Sequence, residues 1–132
     1  MAHVFLPVAE VALLPNKAFI VVGAVEDEWE EIDGPDDSPA VWDERFVLVS
    51  VAAQEGQVRV RLWDIEPAEQ VRGRPLVFDG RLRLTDGSLR IGEPVGPASL
   101  RYRLVAPGES IRLRIWTDGR RFPFGLDLFF WF

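Results

Sequence analysis

The chain has 132 residues, 48% of them hydrophobic and 27% charged, with no Cys, one Met, one His and a formal net charge of −6. This is the length of one ordinary domain with a real core, while the missing cysteines exclude a disulfide scaffold, a Cys-ligated zinc site, an iron–sulfur cluster and a thiol nucleophile, and His3 alone leaves little imidazole chemistry. The charge is uneven: residues 1–50 carry eleven acids against Lys17 and Arg45 (−9), and residues 51–132 carry ten acids against thirteen arginines (+3).

The opening Met1-Ala2-His3-Val4-Phe5-Leu6-Pro7 has no Lys or Arg and soon meets Glu10, so it does not read as a secretory leader. The longest apolar stretch, residues 18–25, is eight residues long with Gly23 inside it, far short of the ~20 that a membrane-spanning helix needs. The expectation is a soluble, cytoplasmic protein without membrane contact. Residues 8–14 and 67–71 have room for a turn or two of helix. Elsewhere the ten prolines and eleven glycines leave little space for one. Phe19-Ile20-Val21-Val22 and Phe46-Val47-Leu48-Val49-Ser50-Val51 are almost continuously apolar, as in strands that are central in a sandwich or covered on both sides.

Beyond residue 57 a period of two takes over. Val58-Arg59-Val60-Arg61-Leu62-Trp63, Arg81-Leu82-Arg83-Leu84, Leu100-Arg101-Tyr102-Arg103-Leu104 and Ile111-Arg112-Leu113-Arg114-Ile115-Trp116 each alternate apolar residues with Arg, which sets one face in a core and the other in water. Turn chemistry punctuates the runs at Glu55-Gly56, Asp79-Gly80, Asp86-Gly87, Pro107-Gly108 and Asp118-Gly119. The expected hairpins join 46–52 with 57–63, 81–85 with 88–92, and 110–117 with 124–131. The chain therefore reads as a single domain over residues 1–132, an all-β antiparallel sandwich of roughly eight strands, with a closed β-barrel as the alternative. The aromatic run Phe129-Phe130-Trp131-Phe132 is expected to be a last strand that closes the core rather than an anchor.

One segment breaks the rhythm. Residues 26–44 hold ten acids and no base, and a connection of that length tends to be functional or disordered. Trp29, Ile32, Val41 and Trp42 argue against full disorder. Catalysis finds no support: Ser38, Ser50, Ser88, Ser99 and Ser110 lie in no nucleophile elbow, no Gly-rich loop precedes a helix, and carboxylates crowded into a loop lack the fixed separation of a glycosidase pair. The expectation is no enzyme and no cofactor. Asp33, Asp36 and Asp37 offer hard oxygen ligands that calcium accepts, although Gly34 and Pro35 interrupt the EF-hand spacing, and the competing reading is a solvated acidic loop.

The arginines at alternate positions (59/61, 81/83, 101/103, 112/114) point in pairs to one side of each strand. Such a face could take phosphate or nucleic acid, but the acidic balance of the chain favours a solvated face and no direct nucleic-acid contact. The sharper lead is the acidic segment. Glu26, Asp27, Glu28, Glu30, Glu31, Asp33, Asp36 and Asp37 would steer a basic partner, with Trp29 and Trp42 as anchors. The competing reading is internal: the carboxylates fold over the protein's own arginines, and Trp42 merely leads into the strand at Phe46.

The order of features resembles competence protein J, a bacterial inhibitor of a nuclease that acts as DNA enters the cell. The shared elements are the acidic, Trp-containing stretch from 26 to 42, the apolar strands from 46 to 63, Pro107-Gly108-Glu109-Ser110-Ile111-Arg112-Leu113, and the closing aromatic strand from 127 to 132. The resemblance implies a small non-enzymatic protein that occludes a nuclease, its carboxylates imitating DNA phosphates toward a basic cleft. It matches a charge pattern and assigns no inhibitory residue. The sequence thus points to a binding or regulatory protein, an acidic inhibitor or immunity-type partner of a basic protein, for which the resemblance offers a nuclease. The alternatives are a calcium-binding module using the same loop and a structural subunit that assembles through its aromatic end and strand edges.

Overall fold

A computed structural model describes residues 6–24, 34–35, 37–53, 56–84, 87–93, 99–103 and 110–132. These hold ten strands: β1 (Ala9–Leu13), β2 (Phe19–Ala24), β3 (Ala40–Trp42), β4 (Phe46–Ser50), β5 (Val58–Trp63), β6 (Leu76–Arg83), β7 (Ser88–Gly92), β8 (Ser99–Arg103), β9 (Ser110–Thr117) and β10 (Gly125–Trp131). They form two five-stranded sheets, a first in the order β1-β5-β10-β9-β6 and a second in the order β3-β4-β2-β7-β8. All neighbours are antiparallel except β5 and β10, which run parallel with Val60 opposite Leu126 and Leu62 opposite Leu128. The sheets stay open at their edges, so the all-β sandwich holds and the barrel does not. The strand count exceeds the expected eight because β1, with the room for helix, alternates half-buried and exposed residues, and because the three-residue β3 sits inside the acidic segment.

The alternating runs build the core as their pattern requires. Val58, Val60 and Leu62 from β5, Leu113 and Ile115 from β9, and Leu126, Leu128 and Phe130 from β10 face Ile20 and Val22 of β2, Val47 and Val49 of β4, and Leu89 and Ile91 of β7. Each such side chain withdrawn from water contributes roughly 1.5–3 kcal/mol before chain entropy is counted. The continuously apolar runs are also explained. β2 is central in its sheet and buried along its whole length, and its Phe19 and Val21, with Leu48 and Phe46 of β4, form a second small cluster on the outer face of that sheet. Gly34 lies over this cluster so closely that a Cβ there would stand 2.5 Å from Cδ1 of Phe19.

Only one of the three expected hairpins forms, β9 with β10 through the Asp118-Gly119 turn, where Gly119 takes φ 87°. The pairing of 46–52 with 57–63 fails because β4 is covered on both faces inside the second sheet, and the chain then crosses to β5 in the first. That crossing is fixed by Val51 and Ala52 donating their N–H groups to the carbonyls of Ala18 and Pro123 (3.0 and 2.9 Å). The pairing of 81–85 with 88–92 fails in the same way, since β6 and β7 belong to different sheets. Asp79-Gly80 makes no turn: it lies within β6, where the ring of Phe78 rests over the glycine, 2.8 Å from where a Cβ would be. Residues 67–71 do make a single turn, closed by Val71 N–H on the Pro67 carbonyl (3.1 Å).

The connection from β5 to β6 positions the surface chemistry. These strands are separated in the sheet by β10 and β9, and the inner face is filled by core, so residues 64–75 cross the outer face as a strap. Val71 of the strap is buried, and so are Trp63 and Trp116, although both project outward from their strands.

Candidate functional site

Three of the four arginine pairs lie on the outer face of the first sheet: Arg59 and Arg61 on β5, Arg112 and Arg114 on β9, Arg81 and Arg83 on β6. The fourth pair, Arg101 and Arg103, belongs to β8 at an edge of the second sheet. The face is a mosaic of guanidinium, carboxylate and aromatic groups. Asp127 of β10 is its buried centre, 1% exposed, in register with Arg61 on one side and Trp116 on the other. Its Oδ1 accepts from Arg61 Nε and Trp63 Nε1 (both 2.9 Å), and its Oδ2 from Arg61 Nη2 (3.2 Å) and from Arg74 Nη1 of the strap (3.1 Å). A carboxylate so buried needs this many donors to replace its water.

Around that centre two further arginines meet acids. Arg59 pairs with Glu10 of β1 (3.0 Å). Arg114 reaches Asp79 of β6 (3.3 Å) and Glu66 of the strap (3.2 Å). Phe129 stacks on Trp131 (4.9 Å between centroids, 15°), and the guanidiniums of Arg112 and Arg114 stand 5.3 and 5.1 Å from the centre of the Trp131 ring. Arg81 and Arg112 are different: they face each other directly across β6 and β9, both exposed, and among the described residues neither has a carboxylate partner.

Of the residues singled out in the sequence, Glu26, Asp27, Glu28, Trp29, Glu30, Glu31, Asp33 and Asp36 lie outside the described residues. Asp37 and Trp42 are described: Asp37 precedes β3 and Trp42 ends it. Asp37 is exposed on the wall of a cleft of about 300 Å³ between the ends of the two sheets, shared with Ser38, Pro75, Phe122 and the cations Arg120 and Arg121. Trp42 is 58% exposed yet meets Phe78 of the opposite sheet edge-on (5.2 Å, 70°), so it spans the gap between the sheet edges as well as facing solvent. The following Asp43 caps the turn into β4, its Oδ1 accepting from the N–H groups of Arg45 and Phe46 (2.7 and 3.1 Å). Gly34, against Phe19, lies on the outer face of the second sheet, away from the arginine rows. Of the calcium candidates only Asp37 is described, and among the described residues no three acids or imidazoles gather as a metal site.

Sequence reasoning missed Asp127 as the organising residue. The available signal is an acid between Leu126 and Leu128 in a strand otherwise apolar, since a charge at such a position needs cations brought to it by neighbouring strands.

No protein-family model matches the chain, and comparison with curated proteins by sequence finds no match. Comparison of structures finds a likeness to ComJ from Bacillus subtilis, solved by crystallography and described as the inhibitor of the DNA-degrading activity of NucA. The likeness covers 94% of this chain and 95% of that one, with a TM-score of 0.58 and 13% sequence identity. At that identity it is the fold that is shared.

Proposed function

We propose that this chain is a non-enzymatic inhibitor that binds a nuclease and blocks its action on DNA. The observation that carries the reading is the end-to-end likeness in fold to an inhibitor of a DNA-degrading enzyme; the charge distribution gives it a mechanism. Ten acids in residues 26–44 present the kind of field that DNA phosphates present, so a basic cleft made for DNA would draw them in and accelerate encounter. Trp29 and Trp42 would supply aromatic contact at the centre of the joint, where interfaces concentrate their energy. Of these two, Trp42 is described, and over half of it is open to solvent.

The test is to capture a nuclease from the native host on the immobilised chain and follow DNA degradation as the chain is added back. Degradation is expected to stop near one equivalent; degradation unchanged at large excess removes the reading. Glu28→Gln, Glu30→Gln and Glu31→Gln together are expected to weaken capture and to flatten its dependence on salt, because exposed charges act through a field that ions screen over ~10 Å at 0.1 M. Equal binding by the triple variant removes the role given to those carboxylates.

A further inference from the structure

Among the described residues, most cations on the outer face of the first sheet have an acid partner, whereas Arg81 and Arg112 do not. Arg81 stands directly opposite Arg112, and like charges in directly opposed positions destabilise a sheet. The sheet has no need of this pair. Arg114, one step along β9, is balanced by Asp79 and Glu66, and a carboxylate at either 81 or 112 would balance the other. Beside the pair the surface is concave, a shallow depression of about 450 Å³ bordered by Arg81, Arg83, Ser110 and, on its far rim, Glu44. Ser110 is opposite Arg83 in the ladder, so its hydroxyl shares the face with the guanidiniums. The Glu44 rim is held there by its carbonyl, which accepts the N–H of Arg83 (2.6 Å). Arg112 is kept in place by the Trp131 ring beneath its guanidinium. Arg81 on the border of the depression and Arg112 next to it, the latter held by Trp131, with the Ser110 hydroxyl on the same face, match an oxyanion by charge-assisted hydrogen bonds.

We infer that the Arg81 edge of this depression is a second contact point for the protein partner and receives a side-chain carboxylate of that partner between Arg81 and its cross-strand neighbour Arg112, with Ser110 as an additional donor. The inference rests on the reading of the chain as a protein-binding inhibitor. A compact carboxylate suits the site better than a nucleic-acid backbone. A polyanion running across the depression would meet Glu44 on its rim and the −6 charge of the chain, whereas one side chain reaches in from above without extending past either. The partner is thus gripped at opposite polarities, its cations by the acidic segment and one of its acids here, which fixes its orientation as well as its affinity.

The probe is a hexaglutamate peptide titrated into the full chain while the arginine Nε–Hε signals are followed by NMR, with hexathymidylate as a parallel titration. Saturable shifts of Arg81 and Arg112 with hexaglutamate, larger than those of Arg103 on the second sheet, are expected, and in each single variant, Arg81→Gln or Arg112→Gln, the shift of the remaining arginine is expected to fall sharply. The double variant Arg81→Gln with Arg112→Gln is expected to weaken capture of the purified nuclease by about tenfold or more while its melting temperature does not fall. No selective shift, or a stronger response to hexathymidylate, overturns the site. If the shifts appear but the chain inhibits no nuclease, the functional reading falls and the carboxylate site remains. If inhibition and capture are intact in the double variant, the site falls and the function remains.

Discussion

Asp127 is a single carboxylate holding together three parts of the chain: its own strand β10, β5 through Arg61 and the indole of Trp63, and the strap through Arg74. Removing one partner of a fully buried ion pair costs roughly 3–5 kcal/mol, but Arg61 and Arg74 keep 29% and 36% of their side chains in water and can rehydrate. Asp127→Ala is therefore expected to cost about 3 kcal/mol in urea unfolding, at the low end of that range. Asp127→Asn should cost less, because the amide oxygen still accepts from Trp63. The opposite sign is expected at Arg81. Arg81→Thr relieves the repulsion with Arg112 and places a strand-former on β6, a gain of about 0.5 kcal/mol readable as a raised melting temperature. Arg112→Thr gives no such gain, since it also discards the contact with Trp131, which is of similar size.

At the scale of elements, alternation reveals that a strand exists and which face is apolar, and it says nothing about which strand lies beside it. That is why all four Arg-alternating runs are strands while two of three hairpins drawn from them are not. Val58-Trp63 satisfies its pattern equally well against β4 or against β10, and the choice is made by β4, whose second apolar face demands a place deep in the other sheet. The strap was legible only as turn residues around 67–71, because its burial depends on crossing two strands that come later in sequence. Its hold is Val71 inside, Arg74 on Asp127 and Glu66 on Arg114. Val71→Asp is expected to release it, adding fast hydrogen exchange at residues 64–75 and a red shift of Trp63 and Trp116 emission, while β2 and β4 keep their protection; retained strap protection would show that the ion pairs alone suffice. The candidate site divides along the same line. The arginine rows could be read from spacing, but that Arg81 and Arg112 lack an acid partner among the described residues could not, since it depends on which strands carry Glu10, Asp79 and Asp127.

For the whole molecule, three of the four arginine pairs lie on the outer face of the first sheet and the fourth on β8 of the second, while the described part of the acidic segment reaches both sheets: Gly34 lies over Phe19 on the outer face of the second, Asp37 lines the cleft at the sandwich end, and Glu44 borders the depression beside Arg81 and Arg83. The aromatic run that closes the sequence is divided by the pleat. Phe130 is in the core against Tyr102 (5.8 Å), Phe129 and Trp131 stack on the arginine face, and Phe132 is exposed. Phe130→Ala is expected to cost about 3–5 kcal/mol and deletion of Phe132 no more than about 0.5 kcal/mol, measured by the same denaturation. Because β10 lies between β5 and β9, the middle of the first sheet is made of the strand that leaves the ribosome after the nine other described strands. Until residue 131 emerges, β5 and β9 each expose an unpaired apolar edge, so the sandwich completes only after synthesis has passed it. A nascent chain tethered before that point is expected to exert no pulling force on an arrest peptide and to need protection from aggregation. Folding of this sandwich is thus gated by translation of β10.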